Sequence, residues 1–353
     1  MKGVILVENS FVHPYMPNSV PENKKAMLDE LGINSVEDIY KSIIPDELLY
    51  KERLDIPEPI RSEYELKRHV MGILNRDITT EEYTSFLGAG CYKHQVPAIC
   101  DEINSRGEFL TAYCGDTYSD HGKMQAIFEY TSMMGELLDT DVVSYTTYDG
   151  GQAVASSLRM AVRAVREKGM AGKVILVPKT MNPEIYSQVV QYCRNVAEVR
   201  KIAYEPETGL MDLEELKEQL AKKNVAAVFF ENPTYLGNFE TRGEEIAKLA
   251  HDAGAYCVVQ TEVAALGIME SPVNQGADIV CGDIQPLGMH IQFGGGQAGF
   301  IACNQNMDLV EQFPTYMYGI TETEKEDTYG WGRAMNYRSS HGSRENAKEY
   351  FGT

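Results

Sequence analysis

Between Val174 and Ala302 the chain alternates short apolar runs with segments whose apolar residues recur at helical spacing. Val174–Val177, Val225–Phe230, Tyr256–Val259, Asp278–Cys281 and Gly299–Ala302 read as strands buried on both faces. Asn182–Cys193, Asp212–Lys222 and Gly243–Ala253 lie between them and read as helices. Upstream, Lys123–Leu138 carries Ile127, Met134 and Leu138 at helical spacing, and Gln152–Arg166 is a helix built largely of small residues. A further helical stretch runs from Val96 to Ser105. Regular strand–helix alternation predicts an α/β domain with a mainly parallel sheet wrapped by helices.

The first third has a different texture. Asn18 or Ser19 can cap a helix that has Pro21 in its first turn and ends at Gly32. Ser35 and Asp38 resemble a capping box ahead of Ile39 and Ile43, and Glu63–Leu74 is a helix of mixed charge. These helices are too short and polar to make a large core alone, so residues 1–80 are expected to be a helical arm. Residues 81–315 form the large α/β domain. Within 316–353 the charged stretch Thr321–Asp327 leads into a tail rich in Tyr and Arg without clear periodicity.

Composition narrows the partners. The 353 residues are 43% hydrophobic and 24% charged, with a formal net charge of -20, so no basic excess exists to neutralise nucleic acid or an anionic membrane. Glu8 interrupts the apolar run Val4–Val7, which argues against a signal peptide, and no apolar stretch is long enough to span a bilayer. The 7 cysteines are dispersed without a CxxC pair, which fits reduced thiols in a cytoplasm better than disulfides or zinc.

Several segments could carry chemistry. Tyr148-Asp149-Gly150-Gly151 opens a helix, so its amides could hold a phosphate; a tight entry capped by Asp149 is the equal alternative. Phe293-Gly294-Gly295-Gly296 enters a strand rather than leaving one, so it is a turn and not a dinucleotide loop. Asp278–Gly288 is a strand followed by a polar loop, either a site wall or a turn set by Pro286 and Gly288. Phe86–Gly90 is a glycine-rich loop with Tyr92 and His94 beyond it, and His94 and His290 are more often structural than catalytic. HExxH, GxSxG and Walker patterns are all lacking.

At Thr84-Ser-Phe-Leu-Gly-Ala-Gly-Cys-Tyr92 the chain resembles the glycine decarboxylase P-protein of the glycine cleavage system, in its split form, as subunit 1. The resemblance continues through Arg106–Tyr113, Gln125–Tyr130, Tyr148–Gly151, Asp278–Gly288 and Phe293–Gly295. It implies the fold-type-I pyridoxal-phosphate (PLP) transferase architecture, like aspartate aminotransferase, with a mainly parallel seven-stranded sheet. It also implies a heterotetramer with a lysine-bearing subunit 2. That complex would decarboxylate glycine and pass its aminomethyl group to the lipoyl arm of the H-protein. Cleft and interface residues by this resemblance are Phe86, Gly88, Gly90, Tyr92, Tyr113, Tyr148, Asp149 and Gly150.

The residues themselves speak to the cofactor. PLP chemistry needs a lysine amine after the strand that follows the pyridinium-binding strand. That loop reads Asp283-Ile284-Gln285-Pro286, and no lysine occurs from Leu249 to Glu324. Gln260 stands where a carboxylate would face the pyridine nitrogen, with Glu262 two residues on. No catalytic residue and no covalently bound cofactor are therefore expected in this chain; PLP would sit on the partner subunit.

Departures from the family pattern occur at Cys114–Gly122, which is one residue shorter, and at Asn182-Pro183-Glu184, where relatives have His-Pro-Glu. The family also continues beyond Thr353 into a small C-terminal domain of about 100 residues. Two other readings stay open. One is a pseudoenzyme that regulates a partner without completing an active site. The other is a PLP-independent enzyme using His121, His290 or Glu262 as acid–base groups.

Overall fold

The computed structural model describes residues 12–50, 52, 55–86, 92–107, 109, 121–144, 146–292, 296–314 and 317–334. Gly88, Gly90, Tyr113, Cys114–Asp120, Phe293–Gly295 and the tail beyond Ala334 lie outside the described residues. The chain divides into two compact units, Met1–Ile78 and Thr79–Thr353.

The first unit holds α1 (Pro21–Leu31), α2 (Glu37–Lys41) and α3 (Glu63–Leu74), none of which buries a residue. Gly32 ends α1 in the left-handed conformation, φ 67°, which a residue without Cβ adopts freely. The expected cap differs. Val20 is the N-cap residue of α1, and the Ser19 hydroxyl instead accepts from the His13 amide at 2.7 Å. Pro21 needs no cap for its own missing N–H, so the entry tolerates an apolar residue there. Asp38 does reach back, accepting from the Asn34 and Ser35 amides at 3.1 Å each.

In the second unit, α4 (Ala98–Asn104), α5 (His121–Leu138) and β1 (Val142–Val143) precede α6 (Gly150–Glu167). Then follow β2 (Val174–Pro178), α7 (Pro183–Cys193), β3 (Glu198–Ile202), α8 (Leu213–Leu220), β4 (Val225–Asn232) and α9 (Gly243–Asp252). After these come β5 (Tyr256–Thr261), β6 (Ile279–Asp283), β7 (Gly299–Cys303), α10 (Met307–Val310), β8 (Met317–Glu322) and β9 (Tyr329–Ala334). The main sheet has 7 strands in the order β1-β7-β6-β5-β4-β2-β3. β3, β2, β4, β5 and β6 run parallel, while β7 is antiparallel to both β6 and β1.

Alternation along the central strands sorts their side chains into two cores. Ile175, Val177, Phe229, Val258 and Cys281 pack under α6 and α7. Val174, Leu176, Val228, Val259 and Val280 pack on the other face against Met134 and Leu138 of α5, Leu216 of α8 and Ile246 of α9. β2 and β4 are buried throughout, as strands covered on both faces must be.

Two elements differ from expectation. β3 (Glu-Val-Arg-Lys-Ile) is an edge strand with only Ile202 buried, so it lacks the apolar run that marks its neighbours. Its charges, including the Arg200–Glu198 pair at 2.9 Å, suit an edge that must resist pairing with another chain. Part of the tail expected to lack pattern is an antiparallel hairpin, Met317 opposite Ala334 through Glu322 opposite Tyr329. Its connection is tied by a hydrogen bond between the Thr323 and Thr328 hydroxyls.

Candidate functional site

The carboxyl ends of β4, β5 and β6 open on one side of the sheet, where ligands bind in open α/β folds. Each strand ends in a polar residue: Glu231 and Asn232 on β4, Gln260 and Thr261 on β5, Asp283 on β6. Glu231 lies directly beside Gln260 in the β4–β5 register. A cavity of about 90 Å³ is lined there by Tyr92, Asn182, Glu231, Gln260, Glu262 and Asp283, among others.

Every charged group named on this wall is acidic. Glu231 is buried and accepts the Asn182 amide at 3.1 and 3.2 Å. Desolvation outweighs the Asn182 and Tyr235 amides and pushes its carboxyl up to about 7. The Asn182 side chain in turn caps α7, accepting from the Glu184 amide at 2.9 Å. Burial also raises Glu262, against the Ala264 amide that bonds it, and raises Asp283, against three amides. The Gln260 Oε1 is buried with no hydrogen-bond partner among the described residues.

Gln285 is 1% exposed and sits in a 3-10 turn after β6. Its Nε2 donates to the carbonyls of Tyr92 and Met289, both at 3.0 Å, and its Oε1 accepts from the Tyr92 amide at 3.4 Å. The side chain is therefore a strut between two segments. Gly288 closes that turn at φ 131°, so the Pro286–Gly288 loop is also a structural turn.

At the start of α6, Asp149 accepts from the Gln152 amide at 2.6 Å, the geometry of an N-cap. The Gly150 amide donates to Asp283 Oδ2 at 2.9 Å. Tyr148 is 60% exposed and Phe86 94% exposed. Tyr92 lines the cavity and meets His94 edge-on, with ring centroids 6.3 Å apart. His290 is exposed and pairs with Asp101 at 3.0 Å, so it does not line this cavity. Of the expected site residues, the structure brings Tyr92, Gln260, Glu262 and Gln285 to the strand ends and sets Gly150 against Asp283. Glu231 was not anticipated; its one signal is an acid closing the apolar run Val225–Phe230.

A larger cavity, about 440 Å³, lies along α6 beside Arg159, Arg163 and Arg166. Arg159 and Arg166 bond the carbonyls of Tyr192 and Val196, and Arg163 bonds Gln312, so these arginines brace α6 against its neighbours. Among the described residues, no His, Cys, Asp and Glu group could hold a metal ion, and no helix is long and apolar enough to cross a membrane.

Residues 13–352 match the family model described as glycine cleavage system P-protein. The chain belongs to this P-protein family. It is 35% identical over 322 residues to a probable glycine dehydrogenase (decarboxylating) subunit 1 of Staphylothermus marinus, covering 88% of this chain and 66% of that protein. It is 38% identical over 310 residues to the protein of the same name in Pyrococcus horikoshii, covering 87% and 67%. The chain thus spans about two thirds of the length of these P-protein relatives. A crystal structure of glycine decarboxylase (P-protein) of the glycine cleavage system, in inhibitor-bound form, superposes with a TM-score of 0.79 at 31% identity, covering 97% of this chain and 74% of that one. A sphingosine-1-phosphate lyase from Burkholderia pseudomallei, at 13% identity and TM-score 0.56 over 82% of this chain and 68% of its own, shares the fold alone. The chain thus has the fold-type-I transferase architecture, with a mostly parallel sheet of 7 strands.

Proposed function

We propose that this chain is the non-catalytic subunit 1 of a glycine dehydrogenase (decarboxylating) complex, paired with a subunit that carries the PLP lysine. The observation that carries the reading is Gln285: a buried amide with both ends bonded stands in the loop that would present the amine. A carboxamide cannot form the Schiff base, and its bonds leave it no freedom to turn toward a ligand.

The rest of the cleft agrees with a chain that holds no PLP of its own. Gln260 offers an amide where a carboxylate would be needed. The Gly150 amide is already bonded to Asp283. Residues of this cleft do not fit the cofactor. What the chain contributes is surface and support. Exposed Phe86 and Tyr148, with Tyr92 held in place by Gln285, offer aromatic area against which a lysine-bearing partner packs. Gly88, Gly90 and Tyr113 belong to the same proposed wall. In the assembled heterotetramer the partner would decarboxylate glycine and hand the aminomethyl group to lipoylated H-protein. The free thiols of Cys193, Cys257, Cys281 and Cys303 support a reducing cytoplasm.

Co-expression with a lysine-bearing P-protein subunit tests this directly. The two chains are expected to co-purify, and glycine decarboxylation with lipoylated H-protein should require both. Decarboxylation by this chain alone would sink the reading. Full activity of the partner alone would favour a regulatory pseudoenzyme instead.

A further inference from the structure

We propose that the Asp283 carboxylate is a built-in anion that fills the amide cradle at the start of α6 and shuts phosphate-bearing ligands out of the cleft. The idea deepens the reading above, since it names what replaced the phosphate site in a chain without its own cofactor.

Three amides from separate segments converge on this one carboxylate. Gly150 of α6 donates to Oδ2 at 2.9 Å, while Gln285 after β6 and Ala298 before β7 donate to Oδ1 at 2.7 and 3.4 Å. Converging backbone amides at a helix N-terminus are the arrangement that binds phosphate oxygens. A further amide of the first turn, that of Gln152, is taken by Asp149 at 2.6 Å. An incoming phosphate would find these donors already used.

Space is closed as well. A Cβ placed on Gly150 would lie 3.1 Å from the Asp283 Cβ and 3.2 Å from the Gly282 carbonyl carbon. One placed on Gly299 would lie 2.2 Å from the Asp149 carbonyl oxygen. The entry of α6 is therefore wedged closely against β6 and β7. Charge acts in the same direction, because Glu231 and Glu262 line the cavity beside Asp283 with no basic side chain among its described lining residues.

The experiment is thermal melting of the whole chain in inorganic phosphate against chloride at matched ionic strength, for wild type, Asp283→Gly and Asp283→Asn. Wild type should show only the small general rise that phosphate gives by exclusion from protein surfaces. Asp283→Gly, which frees the three amides and the space, should melt lower in chloride and regain several degrees in phosphate. Asp283→Asn keeps the side chain and an acceptor in the cradle, so it should respond to phosphate no more than wild type. If Asp283→Gly does not fold, Asp283→Ala, which also frees the amides, decides the matter on the same criterion. A phosphate response in wild type or Asp283→Asn equal to that of the glycine or alanine variant, or none in the variant that frees the amides, overturns the proposal. Either result leaves the subunit reading standing, because co-purification and reconstituted decarboxylation are read separately.

Discussion

Replacing Glu231 by glutamine is expected to change stability in opposite directions at low and high pH. The carboxyl group is buried at the end of β4, and its pKa is raised from the ordinary 4.5 to about 7. A raised folded-state pKa in an acid means that the folded chain holds a proton the unfolded chain releases between those two values. Stability therefore falls as pH climbs from 4.5 to about 7 and stays lowered above it. At about 1.4 kcal/mol per pKa unit, the penalty at pH 8 is about 3 kcal/mol. Glutamine removes it. Only one of its atoms accepts, however, and the carboxylate serves both the Asn182 and Tyr235 amides, so about 1 kcal/mol is lost at every pH. The variant should thus be less stable than wild type by about 1 kcal/mol near pH 4 and more stable by about 2 kcal/mol at pH 8. For a unit of this size that is a melting temperature about 4 °C higher at pH 8. Thermal melts followed by far-ultraviolet circular dichroism across the pH range read both limbs. A difference that stays constant from pH 4 to pH 8 would refute the claim that Glu231 is buried against its charge.

Three other changes test the architecture. Gln285→Ala breaks the bonds to the Tyr92 and Met289 backbones and should lose about 2–4 kcal/mol in urea unfolding, with faster proteolysis around Tyr92. An unchanged proteolysis pattern would mean that the strut does not hold that segment. Gly299→Ala drives a Cβ to 2.2 Å from the Asp149 oxygen and should cost about 3 kcal/mol or more, whereas Gly319→Ala, with nothing within 4 Å, should be close to neutral. Equal melting temperatures for those two variants would contradict the wedged entry of α6. Asp149→Ala removes the cap of α6 and should lower stability by about 1 kcal/mol, while Asp149→Ser should retain most of it. A loss shared by both variants would point away from capping.

Local signals carried most of the fold. The runs that became β2, β4, β5, β6 and β7 were legible because strands covered on both faces must be apolar at nearly every position. Helix starts at Asn182 and Asp212 were legible because their side chains cap from within a turn, and both do so. β3 and the β8–β9 hairpin escaped because exposed or edge strands need no apolar run.

The site divides along the same line. Glutamine at position 285, and at 260, is a fact of the sequence, and the proposed loss of the PLP amine and its carboxylate rests on it. What the replacements do instead was decided by tertiary structure. Gln285 meets Tyr92 across 193 positions and Gly150 meets Asp283 across 133, contacts that no local period encodes. They arise because the strand order β1-β7-β6-β5-β4-β2-β3 departs from chain order, which sets the start of α6 against the end of β6. Burial then gives Glu231 and Asp283 their character, since the same carboxyl groups in water would keep ordinary titration.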